Sequence, residues 1–280
     1  MKFGYLIIVN TDAEHDYLRM AYALALSIKN TQKPGFDQVA LVINDVSEVQ
    51  QLKSPWVFDH VIDHDGDKKG WDARSWMDTY SPFEATVCLD ADMIFTRDYS
   101  HWAEYFIDNC DLYVANKSYT YRGELIDDTE YRKAFIKNEL PNLYSFYTFF
   151  KKDTDISKEF FNLNRSIIEN PILYSNTFLA EYKPKIVGTD EAFSLSAKIL
   201  DIQDQISYPL EFPRVVHMKP MIQNWPWPAN AWSDHVGFYL NRKGQLKIGN
   251  YQQHDIVHYY EKETISNELI SMLEEIAWKK

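Results

Sequence analysis

Two carboxylates one residue apart break an otherwise apolar run at Val87-Cys88-Leu89-Asp90-Ala91-Asp92-Met93-Ile94-Phe95. Strands of a parallel sheet are buried on both faces, so acids at a strand's carboxyl end stand at the crevice where α/β folds bind ligands. Alternate residues of an extended chain share a face, so Asp90 and Asp92 can both reach one hard cation that also holds a diphosphate. The chemistry on offer is metal-assisted handling of a nucleotide sugar. Asp63-His64-Asp65 and Asp153-Thr154-Asp155 repeat the pattern, but both lie in polar surroundings. Asp63 to Asp67 also departs from a calcium loop: its glycine, Gly66, comes too early, and Arg74 stands where the closing Glu belongs.

Strands and helices must position those acids, and the first half alternates accordingly. Lys2 to Val9 reads as a first, central strand, Asp12 to Lys29 as a helix with Leu18, Tyr22, Ala25 and Leu26 on its apolar side, and Gln38 to Ile43 as a strand. A short helix over Ser47 to Lys53, a strand over Trp56 to Ile62, a helix over Asp72 to Tyr80 and a strand over Ala85 to Leu89 follow. That order predicts an α/β fold, Rossmann-like, with a mostly parallel, doubly wound sheet and right-handed crossovers. Val9-Asn10-Thr11 ends the first strand, where a base and ribose lie in such folds.

Beyond Asp92 the pattern predicts helices over His101 to Ile107, Asp128 to Asn138, Ile156 to Glu169 and Thr189 to Leu200, with a strand over Asp111 to Asn116. Thr189 is the expected N-cap of the last of these helices, and Asp190 and Glu191 fall in its first turn, where acids also stabilise a helix dipole. From Ser207 onward Pro209, Pro213, Pro220, Pro226 and Pro228 punctuate an irregular, aromatic-rich segment containing Trp225, Trp227 and Trp232. A hairpin around Lys243-Gly244, a strand over Asp255 to Tyr259 and a closing helix over Glu263 to Trp278 complete the chain. Residues 1–116 are expected to form a donor-binding half and 117–280 an acceptor-binding half of one compact domain.

The 280 residues are 45% hydrophobic and 25% charged, enough for a substantial core. No apolar stretch approaches the ~20 residues that span a bilayer, and Met1 to Val9 lacks the cleavage region of a signal peptide. Cys88 and Cys110 both sit in or near apolar runs, so neither a disulfide framework nor a zinc site is indicated, and a reducing, cytoplasmic setting is expected. A formal net charge of −12 opposes nonspecific attraction to polyanions, although Lys68-Lys69, Arg132-Lys133, Lys151-Lys152 and Arg242-Lys243 offer a local basic track. Aromatic residues make up 15% of the chain, many of them in polar segments, where ring faces suit sugars or bases.

With the strand order, Asn10 and the Asp-x-Asp strand end in place, the chain resembles glycosyltransferases of the GT-A fold, most closely the clan of glycogenin and bacterial lipooligosaccharide galactosyltransferases. The resemblance covers roughly residues 1–116 and scattered later motifs. It implies that Arg74, in Gly70-Trp71-Asp72-Ala73-Arg74, contacts the donor, and that Gly188-Thr189-Asp190-Glu191 is the second acidic motif. It also implies a third metal ligand from Ile256-Val257-His258-Tyr259-Tyr260-Glu261-Lys262, with Lys262 on the diphosphate; Val216-His217-Met218-Lys219-Pro220 is the rival, and the clan's usual ending after the histidine is missing. Over its whole length the chain is also similar to T-even bacteriophage glucosyltransferases that add a second glucose to glucosylated hydroxymethylcytosine in DNA, a likeness no short motif carries.

These resemblances imply transfer from a UDP-sugar, UDP-glucose by expectation, to a hydroxyl of a saccharide-bearing acceptor, with modified DNA or a cell-surface saccharide as candidates. Asp90, Asp92 and His258 would hold Mn²⁺ or Mg²⁺; Val9, Asn10, Thr11, Asp16, Arg74, Ala91 and Lys262 would contact the donor. Asp190, with Glu191 next, is the candidate base if attack is in line, and orients sugar hydroxyls if configuration is retained. Trp225, Trp227, Trp232 and Lys219 are the candidate acceptor contacts. A nucleotidyltransferase would share the fold but opens with a glycine-rich loop that this first strand lacks; a noncatalytic sugar-nucleotide-binding protein is the other alternative.

Overall fold

A computed structural model describes residues 1–11, 16–64, 71–126, 132–207, 213–219, 232–241 and 244–278. The chain opens with β1 (Phe3–Ile8), α1 (Tyr17–Thr31) and β2 (Val39–Ile43). Helix α1 begins at Tyr17 because the Asp16 carboxylate accepts the Arg19 N–H at 2.9 Å and so caps it. Val46–Gln51 and Pro55–Val57 are 3₁₀ turns ahead of β3 (His60–Asp63). The strand expected from Trp56 is thus shorter, since Pro55 at the start of the turn sets a helical φ and lacks an N–H for a ladder.

The helix expected over Asp72 to Tyr80 is broken into α2 (Trp71–Arg74) and α3 (Met77–Tyr80). Ser75 Oγ donates to the Asp72 carbonyl at 2.6 Å, a local bond that competes with the helical ladder. Next come β4 (Ala85–Leu89), β5 (Met93–Ile94), α4 (Ser100–Asn109), β6 (Leu112–Ala115) and α5 (Lys133–Lys137). The longest strand, β7 (Tyr144–Lys151), falls in a stretch where periodicity predicts no element. After it run α6 (Asp155–Glu169), α7 (Pro171–Phe178), α8 (Thr189–Leu200) and α9 (Gln203–Ile206). The N-cap of α8 is Gly188, one residue earlier than expected, so Thr189 is already helical. The chain closes with β8 (Val215–His217), β9 (Phe238–Leu240), β10 (Leu246–Ile248), β11 (Tyr251–Gln252), β12 (Ile256–His258) and α10 (Asn267–Ala277).

The main sheet has the order β3-β2-β1-β4-β7-β6. Strands β3, β2, β1 and β4 are parallel, and β7 alone runs against its neighbours, antiparallel to both β4 and β6. Side chains of alternating parity feed two cores. Tyr5, Ile7, Leu41, Val87 and Phe149 pack with the buried residues of α1 and α4, whereas Leu6, Val42, Cys88 and Phe150 pack with Phe160 and Phe161 of α6 and Phe193 of α8. Gly4 lets β1 and the Phe83 ring approach closely: a Cβ there would lie 2.3 Å from that ring. Helix α10 lies on α1, with Tyr22 Oη donating to Glu274 at 2.7 Å and Asn30 Nδ2 donating to the Leu273 carbonyl at 2.8 Å. A second sheet, β5-β12-β8, hangs directly from the end of β4 and carries the late histidines to it.

Candidate functional site

Strand β4 ends beside β7, with Leu89 opposite Tyr147, and the Asp90 N–H still donates to the Phe146 carbonyl at 3.3 Å. Ala91 and Asp92 then lead out of the main sheet into β5, which pairs antiparallel with β12 so that Met93 faces His258. The Tyr259 N–H donates to the Asp92 carbonyl at 3.0 Å and fixes that register. His258 Nε2 consequently lies 3.1 Å from Asp92 Oδ1 and 3.7 Å from Asp90 Oδ2. One ligand-capable atom from each of the three lies within 4.8 Å of the others. Two carboxylates and an imidazole converging this closely fit a divalent ion of the Mn²⁺ or Mg²⁺ kind. Burial alone would raise the Asp92 carboxyl, but His258 and then Lys262 override it and hold the group at about 2, ionised as a ligand must be.

Cations flank the acids. The Arg74 guanidinium pairs with Asp90 and donates through Nη2 to the Ser145 carbonyl at 2.7 Å. After β12 the chain reverses at Tyr260, whose φ of 64° lies in the left-handed region that non-glycine residues rarely adopt. That reversal brings Lys262 Nζ back to 3.8 Å from Asp92 Oδ2 and 4.3 Å from the centroid of the Tyr17 ring. His217 sits opposite His258 in the parallel β8–β12 register, their ring centroids 4.7 Å apart. It lines the cavity but lies outside the Asp-Asp-His cluster, its ring tilted 39° to that of His258, and burial followed by the charges of His258, Lys219 and Arg132 keeps it well below the usual imidazole range. Among the described residues, neither of the other two Asp-x-Asp pairs enters such a cluster.

A second pair of acids faces the first across the cavity, supplied by the opening turn of α8. Asp190 Oδ1 accepts from the Ser145 N–H at 2.8 Å and from Ser145 Oγ at 2.7 Å, while Oδ2 accepts from Arg132 Nη1 at 2.7 Å. Burial pushes this carboxyl up, but Arg132 and the Ser145 hydrogen bonds outweigh it and leave the group below its ordinary value. Glu191 behaves oppositely: burial, and then the neighbouring Asp190 charge, raise it. Its Oε2 accepts the Gly188 N–H at 3.1 Å, and a Cβ on residue 188 would lie 3.0 Å from that oxygen.

The cavity between these poles has a volume of about 800 Å³, within the range of small-molecule sites. Val9, Asn10 and Thr11 line it from the end of β1, along with Arg74, Asp90, Ala91, Asp92, Asp190, Glu191, His217, Lys219, His258 and Lys262. Asn10 Oδ1 is 2.8 Å from His64 Nε2, and the Thr11 N–H donates to Asn44 Oδ1 at 2.7 Å. Asn44, Ser145 and Arg132 also line the cavity and were not singled out as site residues. Only Asn44 had a readable signal, since it follows β2 as Asn10 follows β1.

Asp16 stands apart: its carboxylate is engaged in capping α1, and it lines a separate depression with Arg19 and Lys53. Trp232 is fully buried, its indole N–H donating to the Tyr259 carbonyl at 3.0 Å, so its ring offers no face to an acceptor. Trp225 and Trp227 lie outside the described residues, as do Lys68-Lys69 and Arg242-Lys243. The rest of the expected basic track does not assemble. Arg132 is buried against Asp190, and Lys151 pairs with Asp111 at 3.0 Å beside Ala85, at the end of β4 opposite the site.

No protein-family model matches the chain, and neither does any curated protein. Solved structures do resemble it. Mouse xyloside xylosyltransferase 1 superposes with a TM-score of 0.51 at 13% identity, over 83% of this chain and 90% of the other. The glycosyltransferase GlyE of Streptococcus pneumoniae TIGR4 gives 0.52 at 12% identity, over 98% of this chain and 59% of its own. The bifunctional glycosyltransferase WbbM gives 0.52 at 11%, over 98% and 49%. The chain thus spans about half to three-fifths of the last two proteins. At these identities the likeness establishes a GT-A-like glycosyltransferase fold, with the mostly parallel central sheet read from the sequence.

Proposed function

We propose that the protein is a metal-dependent glycosyltransferase that moves a sugar, glucose by our reading, from a UDP-sugar to a hydroxyl of a saccharide-bearing acceptor. The observation that carries this is the convergence of Asp90, Asp92 and His258 at the carboxyl end of β4, facing Asp190 and Glu191 across one cavity. Residues 1–116 supply the donor side; the acceptor half, 117–280, contributes Asp190, Glu191 and Lys219. Asn10, Thr11 and Asn44 form a polar ledge at the ends of β1 and β2, suited to the uracil and ribose. Asp90, Asp92 and His258 would hold a divalent ion, which when bound would supply Lewis-acid stabilisation of a leaving diphosphate. Arg74 and Lys262 add positive charge beside the same oxygens as the glycosidic bond breaks.

On the acceptor side, proton affinity favours Glu191 over Asp190 as the base, because Asp190 already accepts from three donors. In a retaining reaction the same carboxylates orient sugar hydroxyls, and the anomeric proton of the product distinguishes the two outcomes. The likeness to the phage enzymes makes glucosylated hydroxymethylcytosine in DNA the first acceptor to test, with a lipooligosaccharide second. Radiolabelled UDP-glucose and Mn²⁺ should give labelled acceptor in one of these incubations. Label in neither, together with no donor hydrolysis, supports a noncatalytic sugar-nucleotide-binding protein instead.

A further inference from the structure

Arg132 is 4% exposed, yet it is an arginine at the wall of a polar cavity, so the structure must compensate its charge and fill its hydrogen bonds. Nη1 donates to Asp190 at 2.7 Å, Nε donates to Asn142 Oδ1 at 2.9 Å, and Nη2 donates to the Leu143 carbonyl. The guanidinium carbon lies 3.5 Å from the centroid of the Phe135 ring and 4.2 Å from that of Tyr144. A planar fork packed on two rings and held by three hydrogen bonds has little freedom to move, and a lysine could not reproduce it. Ser145, the second residue of β7, holds the other Asp190 oxygen with its N–H and hydroxyl, and its carbonyl accepts from Arg74, which pairs with Asp90. An unbroken chain of polar contacts therefore runs from Arg132 through Asp190, Ser145 and Arg74 to Asp90.

We propose that Arg132 is a positioning residue: with Ser145 as pivot, it locks the acceptor-side carboxylate of Asp190 in register with the donor-side Arg74–Asp90 pair and leaves Glu191 as the proton-accepting neighbour. The inference rests on the transfer reading only for its kinetic consequence; the geometric lock stands apart from it. The charged groups around Asp190 are Arg132 from the turn before α5, Lys219 after β8, and Glu191 on its own helix. Of these, Arg132 donates a hydrogen bond to the carboxylate, through Nη1 to Oδ2. Removing it takes away the Oδ2 partner of Asp190, so the carboxylate should turn about its remaining bonds to Ser145 and the two poles should lose their register.

The test compares Arg132→Gln, Arg132→Lys and Ser145→Ala. Arg132→Gln should lower kcat on the order of a hundredfold, the scale of an ångström of misplacement at a reacting centre, with donor KM changed less than about threefold. Arg132→Lys should recover only part of that loss. The pH profile should move too, the acidic limb shifting to higher pH as Asp190 loses its partner. If Arg132→Gln fails to fold, Ser145→Ala, which deletes one of the three bonds to Asp190, should show the same kcat-selective loss in milder form. An equal fall in kcat and donor affinity, an unmoved pH profile, or full rescue by Lys overturns the proposal. A direct readout needs no turnover: the ¹³C carboxyl resonance of Asp190 should titrate at higher pH in Arg132→Gln than in the wild type. If no sugar is transferred under any condition but that resonance shifts, the transfer reading fails while the lock survives; an unshifted resonance refutes the lock itself.

Discussion

At the scale of single residues, the site divides its histidines and its acids by what each one touches. His258 Nε2 points at both aspartates, whereas His217 packs its ring at a tilt against that of His258 and lies outside the Asp-Asp-His cluster. His258→Ala should therefore weaken Mn²⁺ binding, measured calorimetrically in the presence of UDP, more than His217→Ala does, because His217 contributes no atom to the Asp-Asp-His cluster. The reverse ranking would make His217 the ligand. The paired acids differ in sign. Asp190 is held below its ordinary value, so it contributes stability that is complete above about pH 4, its unfolded range, and that is lost as the pH falls through its lower folded value. Glu191 is raised, so it gives up stability as the pH rises from its unfolded value through its folded one. In a Glu191→Gln background, Asp190→Asn should thus cost stability at pH 7, and that cost should shrink progressively as the pH falls below about 4 in urea titrations. A pH-independent difference would show that Arg132 does not hold Asp190 ionised.

At the scale of elements, the residues that stand out in the sequence and that the fold brings to one cavity are those whose chemistry interrupts a local pattern. Asp90 and Asp92 stop an apolar strand, and Asp190 and Glu191 open a helix with a clear apolar stripe, so both were legible. Strand β7 was not, although Tyr, Phe and Thr are good strand formers. Its place is set by pairing with β4 and β6, from which long stretches of chain separate it, and periodicity carries no information about such partners. Ser145 and Arg132 were missed for the same reason, since their roles exist only once β7 lies beside β4. Trp232 shows the opposite error: a tryptophan in a proline-rich stretch reads as a surface aromatic, yet it seals the turn after β12 against Phe238 and Tyr259. Trp232→Ala should destabilise the fold by about 3–5 kcal/mol in urea unfolding, as for other buried aromatic truncations. A change confined to acceptor KM, with unaltered stability, would return it to the acceptor site.

At the scale of the whole molecule, one mostly parallel sheet presents the ends of β1, β2 and β4 to the cavity, and the small β5-β12-β8 sheet folds His258 back onto Asp90 and Asp92. The two halves of the chain are interleaved: β7 comes from the second half yet lies inside the sheet, and α10 closes over α1. No helix among the described residues is long and apolar enough to cross a membrane. The fold thus delivers a cluster of opposite charges to one cavity on an otherwise acidic protein of net charge −12. That arrangement suits a diphosphate that enters with its cation and leaves with more charge than it brought. The decisive measurement is UDP formation from UDP-glucose by the purified protein with Mn²⁺, with and without EDTA, for the wild type and for Asp92→Ala. The account predicts UDP formation in the wild type that EDTA abolishes and added Mn²⁺ restores, and none from a folded Asp92→Ala. UDP formation that survives both chelation and Asp92→Ala would contradict it.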